Sequence, residues 1–543
     1  MKRRDFCKAL ACSAALAPGL ALPRAEATKG KTKSQTVGRA VLAGNYALSF
    51  RSELSQEDVS HEYYYSDSFF AHASTQYDHQ LALATLGVVG AAFNTWASDA
   101  KYWANEDVGR ENSLEAAYET LGFEDAQYHY YNIDVGKAGD FVGYSMARKT
   151  ISLNGKRTTI VALILRGGGY GGEWVGNMHT GAGHAHSGFV IPVNEVFTSL
   201  KSYLSAAQSK GSLGVVKLWV GGYSRGAAVA NLLAARLDKE LTGLAKENIF
   251  VYTFATPVAL GPEDYPELQE DYDNNHNSDG TLKKTWGESN IFNLIASGDI
   301  VPHLLPSGWG YHRNGNDRFL PATRDAEELA DLNEMGKGFG KTPLDFTTLA
   351  TTEETAAVMQ TMMDYFVSKE NYHEKYEPAM MDMIQCAFIR TENEVVNGHV
   401  LDDGEVVERL QSLTHLKNMD YWKIVRCVWA AATMSRAVLK RIDAENIPLR
   451  AQQIVVPVLA VGLCYGIESD VVSIMTKYIL MIVSMKSEPD NVLRAAMCHH
   501  AEDYITLMEY YAPSEHTMEA VTRGEPAAEE PAQNSKNSKK KKK

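Results

Sequence analysis

An apolar run at residues 215–220 leads directly into Gly222-Tyr223-Ser224-Arg225-Gly226, and an alanine- and leucine-rich run follows over 227–241. The first run predicts a buried strand and the second a helix, so the residues between them must turn sharply from one into the other. Glycines on both sides of Ser224 let backbone pass where a Cβ would collide. A serine on such a turn projects its hydroxyl from the carboxyl edge of a sheet, beside a helix start whose N–H groups face developing negative charge. Ser224 is therefore the candidate nucleophile. The competing reading is a tight glycine turn with no chemistry.

Two further β-branched apolar runs, 158–165 and 249–254, flank this segment and are separated from it by helix-forming stretches. Strands alternating with helical crossovers predict a mostly parallel sheet of the α/β class. Ahead of it, residues 28–60 read as polar and irregular. A Tyr-rich segment (Tyr63, Tyr64, Tyr65, Phe69, Phe70) then leads into an apolar helix over 79–96, an N-terminal flank packed on the core. From about 326 to 489 Met, Glu, Ala and Leu dominate at helical spacing, which predicts a large helical insertion between core segments 28–325 and 490–513. The stretch 454–467 is too short to span a bilayer and carries Pro457 and Gly462, so it reads as a buried helix.

Residues 1–27 carry the marks of an export signal: Lys2, Arg3 and Arg4, an apolar small-residue stretch over 9–22, and Ala25-Glu26-Ala27 as a cleavage pattern. Paired arginines before Phe6 and Lys8 look like a twin-arginine signal; an ordinary basic start is the alternative, and both lead out of the cytoplasm. The Lys-rich end, within 514–543, reads as a disordered, solvated tail. A formal net charge of -14 disfavours nucleic acid as a partner. Cys386, Cys427, Cys464 and Cys498 lie far apart without zinc-site spacing, and no metal or cofactor is called for. His179, His184 and His186 could hint at a metal, but they share a glycine-rich loop with no carboxylate or Cys nearby.

A serine nucleophile needs donors aimed at the developing oxyanion. The backbone N–H of Arg225 is one candidate. Gly168 is the other, in the glycine-rich loop 166–172 that follows the strand at 158–165. Ordered along the chain are Arg166-Gly167, Glu173-Trp174, Asn177, His186-Ser187-Gly188-Phe189, the Ser224 turn, Thr253-Phe254-Ala255-Thr256-Pro257 and Asp299-Ile300-Val301-Pro302. This series resembles the class 3 lipases of the α/β-hydrolase superfamily, over about 60–320 and a piece near 490–512. The continuation Tyr223 to Leu232 is most similar to the bacterial branch.

The resemblance implies a Ser-His-Asp triad with Asp299 as the acid. It also implies a base placed late in the chain, five residues before a Tyr, which His499 satisfies relative to Tyr504. His500 and His312 remain the alternative bases. The implied reaction is cleavage of a carboxylic ester, of an acylglycerol or related lipid, with transient contact at a lipid interface and the helical insertion as lid or acyl-binding wall. A thioesterase, transacylase or peptidase would use the same residues, and a binding protein on a hydrolase scaffold is the reading from another class.

Overall fold

Eight successive buried residues, Thr158 to Leu165, show that this strand is covered on both faces, as the middle of a parallel sheet must be. The computed structural model describes residues 41–52, 58–93, 112–130, 139–168, 171–183, 185–260, 289–305, 309, 311–339, 345–351, 354–355, 369–441, 452–467, 472, 476 and 498–511. The export-signal residues, the lysine-rich tail and His184 lie outside the described residues, as does the stretch 94–96 of the expected N-terminal helix.

The chain starts with an antiparallel pair, β1 (Ala43–Arg51) and β2 (Asp58–Ser66), where the sequence reads as irregular. Alternation accounts for it: Leu48, Phe50, Tyr63 and Tyr65 are buried while Tyr64, between two of them, is exposed. Helices α1 (His79–Ala91) and α2 (Asn112–Thr120) follow. The main sheet then runs in chain order through β3 (Glu124–His129), β4 (Tyr144–Leu153), β5 (Lys156–Leu165), β6 (Val215–Tyr223), β7 (Ile249–Phe254), β8 (Ile291–Ala296) and β9 (Asn316–Leu320). Pairing is antiparallel from β3 to β5 and parallel from β5 to β9. The result is a seven-stranded, mostly parallel sheet of the α/β class.

Between β5 and β6 lie α3 (Gly171–Met178) and α4 (Ser187–Lys210), and α5 (Arg225–Glu240) joins β6 to β7. One sheet face is covered by α4 and α5, through residues such as Phe189, Val196, Leu200 and Leu233 against Leu163, Leu218 and Val251. The other face carries Trp219 under Leu86, Val89 and Phe70, so β1, β2 and α1 close it.

After the sheet come α6 (Ala326–Gly336), α7 (Glu377–Asn397), α8 (Asp403–Ser412), α9 (Tyr421–Arg441), α10 (Val455–Tyr465) and α11 (Ala501–Tyr510). The 326–489 stretch divides differently from the expectation. α6 packs against α11, and its Leu332 belongs to the main core. A separate helical core begins with α7 and includes Ile424, Val458 and Leu459. That helical body is anchored on α3, whose Val175 it buries. α11 comes back onto the sheet beside β8. Among the described residues no helix is long and apolar enough to cross a membrane.

Candidate active site

β6 runs to Tyr223, three residues beyond the predicted strand end, and α5 begins at Arg225, so the turn is compressed onto Ser224. Its backbone is held at φ 51° and ψ −123°, a region that costs a non-glycine residue roughly 1–3 kcal/mol. The surroundings enforce it: the Ser224 N–H donates to the Phe254 carbonyl at 2.9 Å, and the Ser224 carbonyl accepts from Ala228 N–H at 3.1 Å. Both flanking glycines are sterically required. A Cβ on Gly222 would sit 2.7 Å from the Gly226 carbonyl oxygen, and one on Gly226 would sit 2.4 Å from that of Leu165.

His499 precedes α11 and Asp299 follows β8, and the return of α11 onto β8 brings both to Ser224. His499 Nε2 lies 2.9 Å from Ser224 Oγ, and Nδ1 lies 2.8 Å from Asp299 Oδ2. With Nδ1–H facing the carboxylate, Nε2 is the acceptor for the serine hydroxyl, the tautomer a general base needs. Asp299 is fully buried, and burying a carboxylate is costly unless donors surround it. Three do: His499 Nδ1–H, the Tyr504 hydroxyl at 2.7 Å, and the Val301 N–H at 2.9 Å. The Tyr504 hydroxyl in turn accepts from Ala296 N–H at 3.1 Å, which fixes it to the end of β8. Tyr223 donates its hydroxyl to the His499 carbonyl at 3.0 Å and so holds the histidine's backbone.

The other candidate bases sit elsewhere. His500 is buried at the start of α11, and His312 exchanges backbone hydrogen bonds with Leu260. Neither ring has a hydrogen bond to Ser224 or Asp299; the bridge between those two is made by His499. Cys498, beside the histidine, is a buried thiol outside any disulfide, pushed well up by burial, and Asp503 and Asp299 nearby push it further. It is a thiol and not a thiolate at neutral pH. The Asp503 carboxyl is likewise pushed up, by burial first and by Asp299 and Glu502 second; the carboxylate that meets His499 is that of Asp299.

Gly168 lines the same cleft as Ser224 and His499. The loop that carries it is set by a buried ion pair, Arg166 to Glu173 at 2.9 Å, with Arg166 also donating to the Tyr130 carbonyl. Gly167 has no room for a side chain, since a Cβ there would meet the Phe93 ring at 2.7 Å. Arg225 follows Ser224 directly. Its backbone N–H stands at the open start of α5, while its buried guanidinium donates to the Phe141 carbonyl, Asn177 Oδ1 and the Gly188 carbonyl. One residue thus offers an N–H beside Ser224 and ties the end of α3 to the start of α4. Burial pushes this guanidinium down to about 10, which leaves it charged at neutral pH.

His179 and His186, the described histidines of the glycine-rich loop, have other partners. His179 pairs with Asp140 at 2.7 Å, a bond that raises its pKa. His186 stacks on Phe189, and burial together with Arg225 pushes it down to about 3. Among the described residues no cluster of His, Cys, Asp and Glu could hold a metal ion.

The sequence motif contains Tyr504 only as a spacing marker; the structure makes it the positioning residue for Asp299. A Tyr504→Phe variant removes one donor from a buried carboxylate, an interaction of roughly 1.5–3 kcal/mol when the acceptor is charged. The expected result is a fall in kcat of about tenfold with KM unchanged, because the loss is felt in the imidazolium-bearing transition state and not in substrate binding. Steady-state turnover of a soluble ester checks this, and an equal change in KM would contradict the positioning role.

Residues 167–308, about a quarter of the chain, match the family model described as Lipase (class 3). No curated protein matches the sequence. Solved structures that resemble it include a fungal lipase–inhibitor complex (19% identity, covering 44% of this chain and 78% of that one, TM-score 0.28). Others are the Rhizomucor miehei triacylglyceride lipase (18%, 44% and 79%, TM-score 0.28) and a lipase from Rhizopus microsporus var. chinensis (15%, 45% and 75%, TM-score 0.28). The matched segment contains Ser224, Asp299 and the loop around Gly168, and over that segment the chain is similar to the class 3 lipases.

Proposed function

We propose that this protein is an exported lipase or carboxylesterase that cleaves neutral lipid esters of the acylglycerol type through an acyl-enzyme on Ser224. The observation that carries the chemistry is the continuous hydrogen-bond line from Ser224 Oγ through His499 to Asp299. The cleft above it supports the substrate class. It encloses about 510 Å³ including its open mouth, and Phe50, Phe93, Trp174 and Tyr223 give it apolar walls. Among the described residues no Lys or Arg lines it, while Glu502 does. A hydrocarbon chain suits that surface, and an anionic headgroup finds no counter-charge there. Export is supported by the basic start, apolar stretch and Ala25-Glu26-Ala27 of the N-terminal residues.

The reaction runs in two halves. His499 Nε2 takes the Ser224 proton as Oγ bonds to the ester carbonyl carbon; the carbonyl oxygen becomes an oxyanion facing the Arg225 and Gly168 N–H groups. The imidazolium, held by Asp299, returns its proton to the leaving alcohol as the C–O bond breaks. Water then repeats the sequence on the acyl-enzyme, giving its proton to His499 and releasing the acid and the free serine.

Purified protein supplied with p-nitrophenyl esters from acetate to palmitate, a triacylglycerol emulsion, an acyl thioester and a peptide tests this reading. The expected order places carboxylic esters with an acyl chain of butyrate or longer first in kcat/KM. A thioester or peptide preferred by about tenfold or more, a difference of 1.4 kcal/mol in transition-state binding, would overturn it.

A further inference from the structure

Seven large hydrophobic residues are exposed among the described residues, and three of them, Tyr421, Trp422 and Trp429, sit on α9. Trp422 is 64% and Trp429 75% exposed. They stand seven residues apart, two helical turns, and so share one face. Lys423 and Arg426 lie on the exposed side with them, and Arg436 and Lys440 continue the same stripe toward the helix end. The opposite face, Ile424, Val428, Ala431 and Val438, is buried in the helical core against α10. The fold therefore uses one face of α9 and leaves the aromatic and basic face outward.

The composition of that face selects its partner. α9 carries five basic residues and no acidic one, in a chain whose formal net charge is -14. Exposed tryptophans next to lysines and arginines on an amphipathic helix match the interface of an anionic bilayer. There, indole rings settle at headgroup depth and cations pair with lipid phosphates. A second copy of the chain fits poorly, because pairing two such faces would bring like charges together.

We infer that the outward face of α9, through Trp422 and Trp429 with Lys423, Arg426, Arg436 and Lys440, docks the protein peripherally on an anionic lipid bilayer. The attachment is separate from turnover and is read without it.

The test is co-sedimentation of the full chain with vesicles of equal parts phosphatidylcholine and phosphatidylglycerol, and with vesicles of phosphatidylcholine alone. A Trp422→Ser/Trp429→Ser variant and an Arg426→Gln/Arg436→Gln variant are run beside it. Wild-type protein is expected to bind the mixed vesicles and to release as salt is raised. Both variants should lose about tenfold or more in partitioning, while thermal midpoint and turnover of a soluble butyrate ester stay unchanged. The inference is overturned if wild-type protein ignores the mixed vesicles, or binds both compositions equally. Unaltered binding of the tryptophan variant would also overturn it. So would sedimentation showing a wild-type dimer that the tryptophan substitutions dissociate, since the face would then be an interface between copies.

Discussion

Replacing Ser224 with alanine is expected to lower kcat for a soluble ester by roughly 10⁴–10⁶-fold while leaving the protein folded. The two halves of that expectation have different origins. In the proposed reaction the hydroxyl oxygen forms the acyl bond, and the neighbouring thiol, Cys498, is kept protonated by burial. The backbone strain at φ 51° is imposed by Gly222, Gly226 and the Phe254 hydrogen bond, none of which involves the hydroxyl. Alanine inherits the same strain and the same supports, so the thermal midpoint should move little. Turnover and melting of one preparation check both halves. Residual activity above about a hundredth of wild type would place the nucleophile elsewhere.

Asp299→Asn carries the second large effect, a fall in kcat of about 10⁴-fold with KM little changed. Asparagine keeps the shape but offers an N–H or a weaker acceptor where His499 Nδ1–H now meets a carboxylate at 2.8 Å. The imidazole is then free to turn its protonated nitrogen toward Ser224, the wrong tautomer for accepting a proton. The imidazolium formed in the transition state also loses its counter-charge. The Tyr504 hydroxyl can still reach the side chain, so the fold around β8 should survive. Pre-steady-state and steady-state turnover measure the effect. A variant that loses KM and kcat together, or that unfolds, would mean that Asp299 acts chiefly in structure.

Ser224 was legible in the sequence because its constraint is local. A strand, two glycines and a helix start must fit within a few residues, and both glycines prove to sit where a Cβ has no room. Asp299 and His499 were placed by ordered motifs and not by any local physics. They are 200 positions apart, and only the return of α11 onto β8 joins them. What the sequence could not disclose was convergent burial. Arg225 stands out as the residue after the nucleophile, but its guanidinium role depends on Phe141, Asn177 and Gly188 meeting around it. The β1–β2 pair was missed because Tyr, Ser, Glu and His alternate with few aliphatic residues there, and burial of Tyr63 and Tyr65 comes from the sheet they cover. The helical stretch read as one insertion, whereas α6 shares the main core with α11, since apolar spacing shows that a helix buries a face but not against what.

An activated Ser224 reacts with a fluorophosphonate, and labelling of the purified protein followed by mapping of the modified peptide reads this out. A single adduct on Ser224 is expected, absent from Ser224→Ala and greatly slowed in Asp299→Asn. An adduct on another residue, or no adduct on folded protein that still turns over esters, would contradict it.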